Sequence, residues 1–242
     1  MAEFERTRWA DGEFSRKYRD GADIYMPFRR RFIEVTKSLY SFFFEDRSEL
    51  RILDLGCGDG FFAEEFLKNF TPSGFTLSDG SVDMLMAARE RLKDQANVEY
   101  IQASFQTIIE SDILPGGYDF IYSSFAIHHL SLTDKKRLYS KVNKILNPGG
   151  CFIHNDVIAP LSDRIESWYL MLWREWIDQF PDKELSQGME VIPEKYKESP
   201  DDFPDSLETH LDILKKTGFK DVDCFFKYGI FALFGGFKLD ND

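Results

Sequence analysis

Three groups of residues in this 242-residue chain have the types and spacing to do chemistry. Gly56, Gly58 and Gly60 alternate with Cys57 and Asp59 directly after the apolar run Arg51-Ile52-Leu53-Asp54-Leu55. That order places a tight turn between a strand and a helix, and glycines there let something approach the backbone closely. Asp54 and Asp79 each put a carboxylate at the end of a short apolar run. His128, His129 and His154 are three of the four histidines, and imidazole is the natural general base near neutral pH. His210, the fourth, opens a late helix and reads as structural.

The glycine turn restricts the ligand. A nicotinamide dinucleotide fingerprint is GxGxxG, and the spacing here is one residue short. Asp54 beside the first glycine would repel a pyrophosphate and welcome an ammonium or another cation. No GxxxxGK[ST] phosphate loop is present. Asp79, one crossover away, can take both hydroxyls of a ribose. A ligand with a ribose and a positive end but no phosphate is implied, and S-adenosylmethionine fits that description.

These residues need elements to hold them. The periodicity predicts a helix over residues 1 to about 45, with Ile24, Phe28, Phe32, Val35 and Leu39 on one face and Arg29, Arg30 and Arg31 mostly on the solvated side. Phe42-Phe43-Phe44 is expected to end it against the core. Strands follow at 51–55, 74–77, 98–102, 118–122 and 151–154, alternating with helices at 61–69, 81–95 and 133–146 and a short helix after the third strand. Ser81 is placed to cap the second of these helices, and Asn147-Pro148-Gly149-Gly150 to stop the third. Residues 161 to about 205 interrupt the rhythm with a helix striped by Ile165, Trp168, Leu172 and Trp176. A helix at 206–217 and strands near 222–226 and 230–237 close the pattern, and the short join at Tyr228-Gly229 makes that pair antiparallel. The reading is an α/β, doubly wound, mostly parallel sheet. It divides into a helical cap (1–47), a core (48–160), a helical insertion (161–205) and a closing segment (206–242) of one domain.

Leu53-Asp54-Leu55-Gly56-Cys57-Gly58-Asp59-Gly60 resembles the nucleotide-binding loop of the Rossmann-like, S-adenosylmethionine-dependent methyltransferases. Tyr118 through Leu130 resembles that family's fourth strand and following loop. Leu146-Asn147-Pro148-Gly149-Gly150 resembles the turn before its fifth strand, and Thr217-Gly218-Phe219-Lys220-Asp221-Val222 its approach to the sixth. The resemblance implies a Rossmann-like sheet of about seven strands with the last antiparallel. It implies that Asp54, Gly56, Cys57, Gly58 and Gly60 hold the methionine end and that Asp79 and Gly80 hold the ribose. Ser104, where the family often has an acid, and Phe105 would meet the adenine. Ser123 and Tyr18 would complete the cofactor set, with Tyr18 and Tyr25 in the leading segment closing over the cleft. Trp168 and Trp173, in the insertion, are placed to roof the acceptor.

Composition bounds the alternatives. Thirty Lys and Arg against 42 Asp and Glu leave a net charge of -12, so a broad basic face for nucleic acid is not expected. Three separated cysteines support neither a disulfide framework nor a zinc cluster. His154, Asn155 and Asp156 are too adjacent to converge on one ion, so no metal site is expected. The charged leading residues do not read as a secretory signal and no apolar stretch is long enough to span a membrane, so the cytoplasm is the expected compartment. The leading reading is a methyltransferase acting on O, N or S of a small molecule, as a monomer or homodimer, with His128, His129 or His154 as a candidate base. Two alternatives stay open: an enzyme that remodels the cofactor, like carboxy-S-adenosylmethionine synthase, and a cofactor-binding protein without turnover.

Overall fold

The computed structural model describes Thr7, residues 11–180, 192–198 and 201–239, without the side chains of residues 14–18, 20 and 194. Seven strands form one sheet: β1 (Arg51–Leu55), β2 (Gly74–Asp79), β3 (Val98–Gln102), β4 (Tyr118–Ser124), β5 (Leu146–Val157), β6 (Phe219–Tyr228) and β7 (Phe231–Lys238). Their order is β3-β2-β1-β4-β5-β7-β6. The first five are parallel, and β7 lies antiparallel between β5 and β6. Chain order reverses between β1 and β4, which opens a crevice above their carboxyl ends.

Period-two alternation sends each strand's side chains to opposite faces. On one face Ile52, Phe75, Phe120, Tyr122 and Ile153 pack with residues of α1 (Gly12–Tyr25), α2 (Arg29–Phe44), α3 (Phe61–Leu67) and α7 (Asp163–Asp178). On the other, Leu53, Ile121, Phe152 and Phe234 pack with residues of α5 (Phe105–Glu110), α6 (Leu132–Ile145) and α9 (Leu207–Lys216). Between them run α4 (Val82–Arg91), a 3-10 turn at Ile127–His129 and the short α8 (Ile192–Lys195). Ser81, Ser104, Ser131 and Ser206 each cap a helix by accepting from a backbone N–H three residues on. At the lower end of the sheet Asp119 accepts from Arg51 N–H at 2.9 Å and from Asn147 Nδ2 at 2.9 Å, tying β1, β4 and β5 together away from the crevice.

Several expectations are corrected. The single leading helix is two, because Pro27 has no N–H to continue the ladder and Phe28 turns left-handed at φ 56°. Phe28 then wedges its ring 4.7 Å from Trp176 and 4.8 Å from Tyr228. Residues 1–6 and 8–10 of the expected helix lie outside the described residues. Of the Phe42-Phe43-Phe44 triplet only Phe44 is buried, while Phe42 is 82% exposed. The expected stop at 147–150 belongs instead to β5, as a bulge between Tyr118↔Leu146 and Phe120↔Cys151. A Cβ on Gly150 would sit 2.8 Å from the Asn147 carbonyl oxygen, so glycine is required there.

The stripe assigned to α7 is also rotated. Trp173 and Ile177 face the core, and Trp168, at 50% exposure, faces out. The cause lies in α1: Trp173 Nε1–H donates to the Tyr25 carbonyl at 2.7 Å and Trp176 Nε1–H to the Ile24 carbonyl at 2.9 Å. Two indole donors meet the carbonyls at the end of α1, and that contact fixes the rotation of α7.

Phe44→Ala should lower unfolding free energy by about 3–5 kcal/mol, while Phe42→Ala should stay within about 0.5 kcal/mol of the parent. Urea denaturation of both variants checks the placement, and equal losses would refute it.

Candidate functional site

Above the carboxyl ends of β1, β2 and β4 the surface opens into two adjoining cavities of about 220 and 80 Å³ that share Gly56, Gly58, Met84, Ser124 and Phe125. The glycine turn forms their common wall. Gly56 N–H and Cys57 N–H both donate to the Ser78 carbonyl, at 2.8 and 3.0 Å, so the turn is fastened to β2. Gly56 adopts φ +73°, and a Cβ there would stand 2.6 Å from that of Ala126. Gly58, at φ +53°, has open space where a side chain would be. Gly60 differs: it borders neither cavity and packs at the start of α3 against Ala88 of α4 and Leu92 just beyond it. Arg91 of α4 pins the turn from behind through Asp59 and Glu64.

The two carboxylates occupy opposite ends of this turn. Asp54 lines the smaller cavity, is buried, and its Oδ2 has no hydrogen-bond partner. Burial pushes its carboxyl well above the usual carboxylate range, and the charges of Asp79 and Asp59 push it further. Asp79 lines the larger cavity, where Oδ2 accepts from Gly58 N–H at 2.9 Å and Oδ1 from Ser81 N–H at 2.8 Å. Burial raises Asp79 as well, against the pull of those backbone donors. Cys57, Arg19 and Arg29 join Asp54 in the smaller cavity. Arg29 is thus not a solvated residue; it bonds Asp23 at 3.1 Å and its guanidinium stacks 3.7 Å over Phe61. Gly80, Ser104 and Phe105 join Asp79 in the larger cavity.

Other expected residues fall elsewhere. Ser123 is buried and donates to the Leu55 carbonyl at 2.7 Å; the strand's alternation gives the cavity Ser124 instead. Tyr25 and Trp173 are core residues, and with Trp168 they line neither cavity, so no aromatic roof forms from them. The aromatic walls come from Phe105, Phe125 and Phe203 in one cavity and Phe61, Phe62 and Tyr122 in the other. The side chain of Tyr18 lies outside the described residues. Phe125 takes a left-handed φ of 50° just beyond β4 and donates its N–H to the Asn155 carbonyl at 2.8 Å. Strain of that kind persists where the surroundings over-determine the backbone.

The histidines divide into two kinds. His129 lines the larger cavity. His154 lines neither: its Nε2 lies 2.7 Å from Asp156 Oδ2 and its Nδ1 3.0 Å from the Tyr139 hydroxyl, which also meets His210 Nδ1 at 2.7 Å. Its neighbours hold it in the core as a structural group. Asp156 is the centre of this buried network, bonding His128 through both its backbone N–H (2.9 Å) and Nδ1 (2.6 Å). Burial opposes the charge on Asp156, but His128 and His154 outweigh it and hold the carboxyl well below its usual range. Burial lowers His129, and His128 lowers it further, against the pull of Asp202.

Sequence reasoning missed Arg19, Ser124, Asp201, Asp202 and Phe203. The last three come from the far end of the insertion, and only tertiary contacts bring them in: Phe203 N–H donates to the His128 carbonyl at 2.8 Å. Among the described residues one set of metal-capable side chains also converges, and it is not the trio His154, Asn155 and Asp156 but His128, His129 and Asp202.

The chain is similar to known proteins. Residues 52–150 match the family described as methyltransferase domain. The ubiquinone/menaquinone biosynthesis C-methyltransferase UbiE of Serratia proteamaculans is 30% identical over 199 residues, covering 78% of this chain and 74% of that protein. A carboxy-S-adenosyl-L-methionine synthase of Chromohalobacter salexigens is 26% identical over 191 residues, covering 77% of this chain and 68% of that protein. An O-methyltransferase family protein from Burkholderia thailandensis superposes with a TM-score of 0.69 at 12% identity, over 98% of this chain. This chain spans 64% of that structure's length, less than two thirds.

Asp54 binds a proton more tightly folded than unfolded, so its contribution to stability is present at acid pH and is lost as pH rises through its ordinary range toward its folded value. Asp54→Asn should therefore raise the urea midpoint above the parent's at pH 8, with the gap closing toward pH 4. Parallel denaturation curves at the two pH values check this; a gap that widens toward acid would overturn it.

Proposed function

The chain belongs to the class I S-adenosylmethionine-dependent methyltransferases, and from that membership we propose that its paired cavities carry out methyl transfer to a small-molecule acceptor in the cytoplasm. The observation that carries the reading is the division of charge between the cavities. One ends in the buried carboxylate of Asp54, whose Oδ2 has no hydrogen-bond partner and would be met by a cation rather than a phosphate. The other presents Asp79 and Gly80 beside Phe105, which suits a ribose and an apolar ring.

S-adenosylmethionine, once bound, supplies a methyl group already activated by its sulfonium. The residues present fit it. Asp54 would face the ammonium, and Arg19 or Arg29 would take the carboxylate of the same end. Asp79 keeps acceptor capacity beyond its two backbone donors for the ribose hydroxyls. The Ser104 hydroxyl and the Phe105 ring would border the adenine. Gly56 and Gly58 keep the wall thin between the two ends.

The far end of the larger cavity, bounded by His129, Asp201 and Phe203, is the space left for the acceptor. The protein's work there is alignment and exclusion of water, because methyl transfer is an in-line displacement that gains most from a fixed approach. Acidic balance and the modest volume favour a small acceptor over a macromolecule.

A second reading has support in Arg19 and Arg29, since cations in the smaller cavity would also suit an added carboxylate on the cofactor, as in the carboxy-S-adenosyl-L-methionine synthase relative. The mass of the nucleoside that co-purifies with the chain separates the two.

Asp79→Ala should weaken binding of S-adenosylhomocysteine about 5- to 150-fold, the equivalent of about 1–3 kcal/mol for charge-assisted bonds lost at a partly buried site. Calorimetry with that product and with NAD checks both affinity and class; preference of the parent chain for the dinucleotide would overturn the reading.

A further inference from the structure

Where the 3-10 turn after β4 meets the end of the insertion, three ligating side chains face one another. Asp202 Oδ1 lies 2.8 Å from His129 Nδ1 and 3.7 Å from His128 Nε2. One ligand atom from each of the three can be chosen so that all lie within 4.8 Å of one another. Ligands bonded to one ion at about 2.0–2.2 Å stand about 3–3.5 Å apart, so side-chain shifts smaller than a bond length would close the set on a cation. The three side chains are 13%, 15% and 6% exposed for His128, His129 and Asp202, deep enough to exclude bulk water and still open to the cavity through His129.

The supports behind these groups are those a metal site requires. Asp156, fully buried, accepts from the His128 backbone N–H at 2.9 Å and lies 2.6 Å from His128 Nδ1, a placement that puts the ring proton on Nδ1 and turns Nε2 toward Asp202. A carboxylate that orients a ligating imidazole in this way is the usual outer partner of such sites. Asp202 is held just as firmly. Its neighbour Phe203 bonds the His128 backbone, and the buried Lys135 of α6 pairs with Asp205 at 2.6 Å and with the Phe203 carbonyl. Segments some 70 residues apart in sequence are thus strapped together at this point.

We propose that His128, His129 and Asp202 form a binding site for a divalent first-row transition-metal ion in the wall of the larger cavity, with positions left open toward the acceptor space. Two imidazoles and one carboxylate suit zinc, iron, cobalt or nickel, whereas magnesium and calcium prefer oxygen alone. His129 Nδ1 also lies 3.0 Å from the Asp201 carbonyl, and on binding its ring proton leaves that contact for Nε2, so the neutral ring is kept and only its tautomer changes. An acceptor oxygen would occupy an open position, which restricts the acceptor to molecules with a carboxylate, enolate or hydroxyl near the reacting atom. The inference goes beyond methyl transfer and stands on different residues from those assigned to the cofactor.

The test uses the full chain stripped with chelator and then titrated with cobalt(II) chloride, read by visible absorption and by calorimetry. One cobalt per chain is expected, with magnesium chloride producing no saturable signal. Asp202→Asn and His129→Gln, each checked for folding by circular dichroism, should weaken cobalt binding at least tenfold. No saturable uptake at millimolar cobalt, or variants that bind as the parent does, would overturn the proposal. S-adenosylhomocysteine affinity is measured on the stripped chain alone, so loss of that affinity counts against the methyltransferase reading and not against the metal site.

Discussion

A carboxylate buried at a strand tip without a counter-charge costs free energy, and Asp54 is such a group. Much of the surrounding architecture makes sense as the means of keeping it there. The parallel strands β1 and β4 carry it into the crevice, the turn of Gly56 to Gly60 bends around it, and two further acids, Asp59 and Asp79, stand close enough to raise its pKa. An arrangement that gathers like charges while leaving one oxygen unpartnered is poor for stability alone. On the proposed reading, the ammonium of the cofactor would relieve it, with Arg19 and Arg29 of the same cavity left for the carboxylate. The proposed preference for a sulfonium amino acid over a dinucleotide would then rest on electrostatics at this turn.

The insertion serves this site differently from the way its aromatics suggest. Trp173 and Trp176 do not touch either cavity; they take the last carbonyls of α1, whose Arg19 and Ala22, with Met26 just beyond the helix, wall the smaller one. Helix α7 is therefore a clamp on a cap. At the other end of the insertion, Lys135 and the His128 carbonyl hold residues 203–205 against the core, and Asp201 and Asp202 ride on that fixed strap. This segment thus supports both sides of the crevice, and among its described residues Asp201 and Phe203 line a cavity.

The sheet was largely legible because parallel strands buried on both faces read as apolar runs between turn residues. Ile52 through Leu55 and Tyr118 through Tyr122 stand where the pattern puts them. The glycine turn was legible too, since few chemistries require three glycines at alternate positions. What failed was rotation and tertiary reach. A helix with aromatics on more than one side, such as α7, does not disclose which side is buried, and hydrogen bonds to α1 decided it. His154 reads like His129 as a residue type, and only the register of β5 against β7 reveals that one is enclosed beside Phe234. Ser123 and Ser124 differ only by which face of β4 they occupy, a distinction that needs the strand's exit to be known.

The position of β7 has an effect on biosynthesis. Because β7 fills the gap between β5 and β6, β5 is an open edge for as long as the nascent chain stops short of residue 231. His154 and Asp156 lie on that edge, so water reaches them until the hairpin inserts and Phe234 covers the imidazole at 4.7 Å. The acid–imidazole network that braces the cavity wall is thus among the last parts of the molecule to become dry. A chain lacking β7 would leave the wall beside the glycine turn open to solvent.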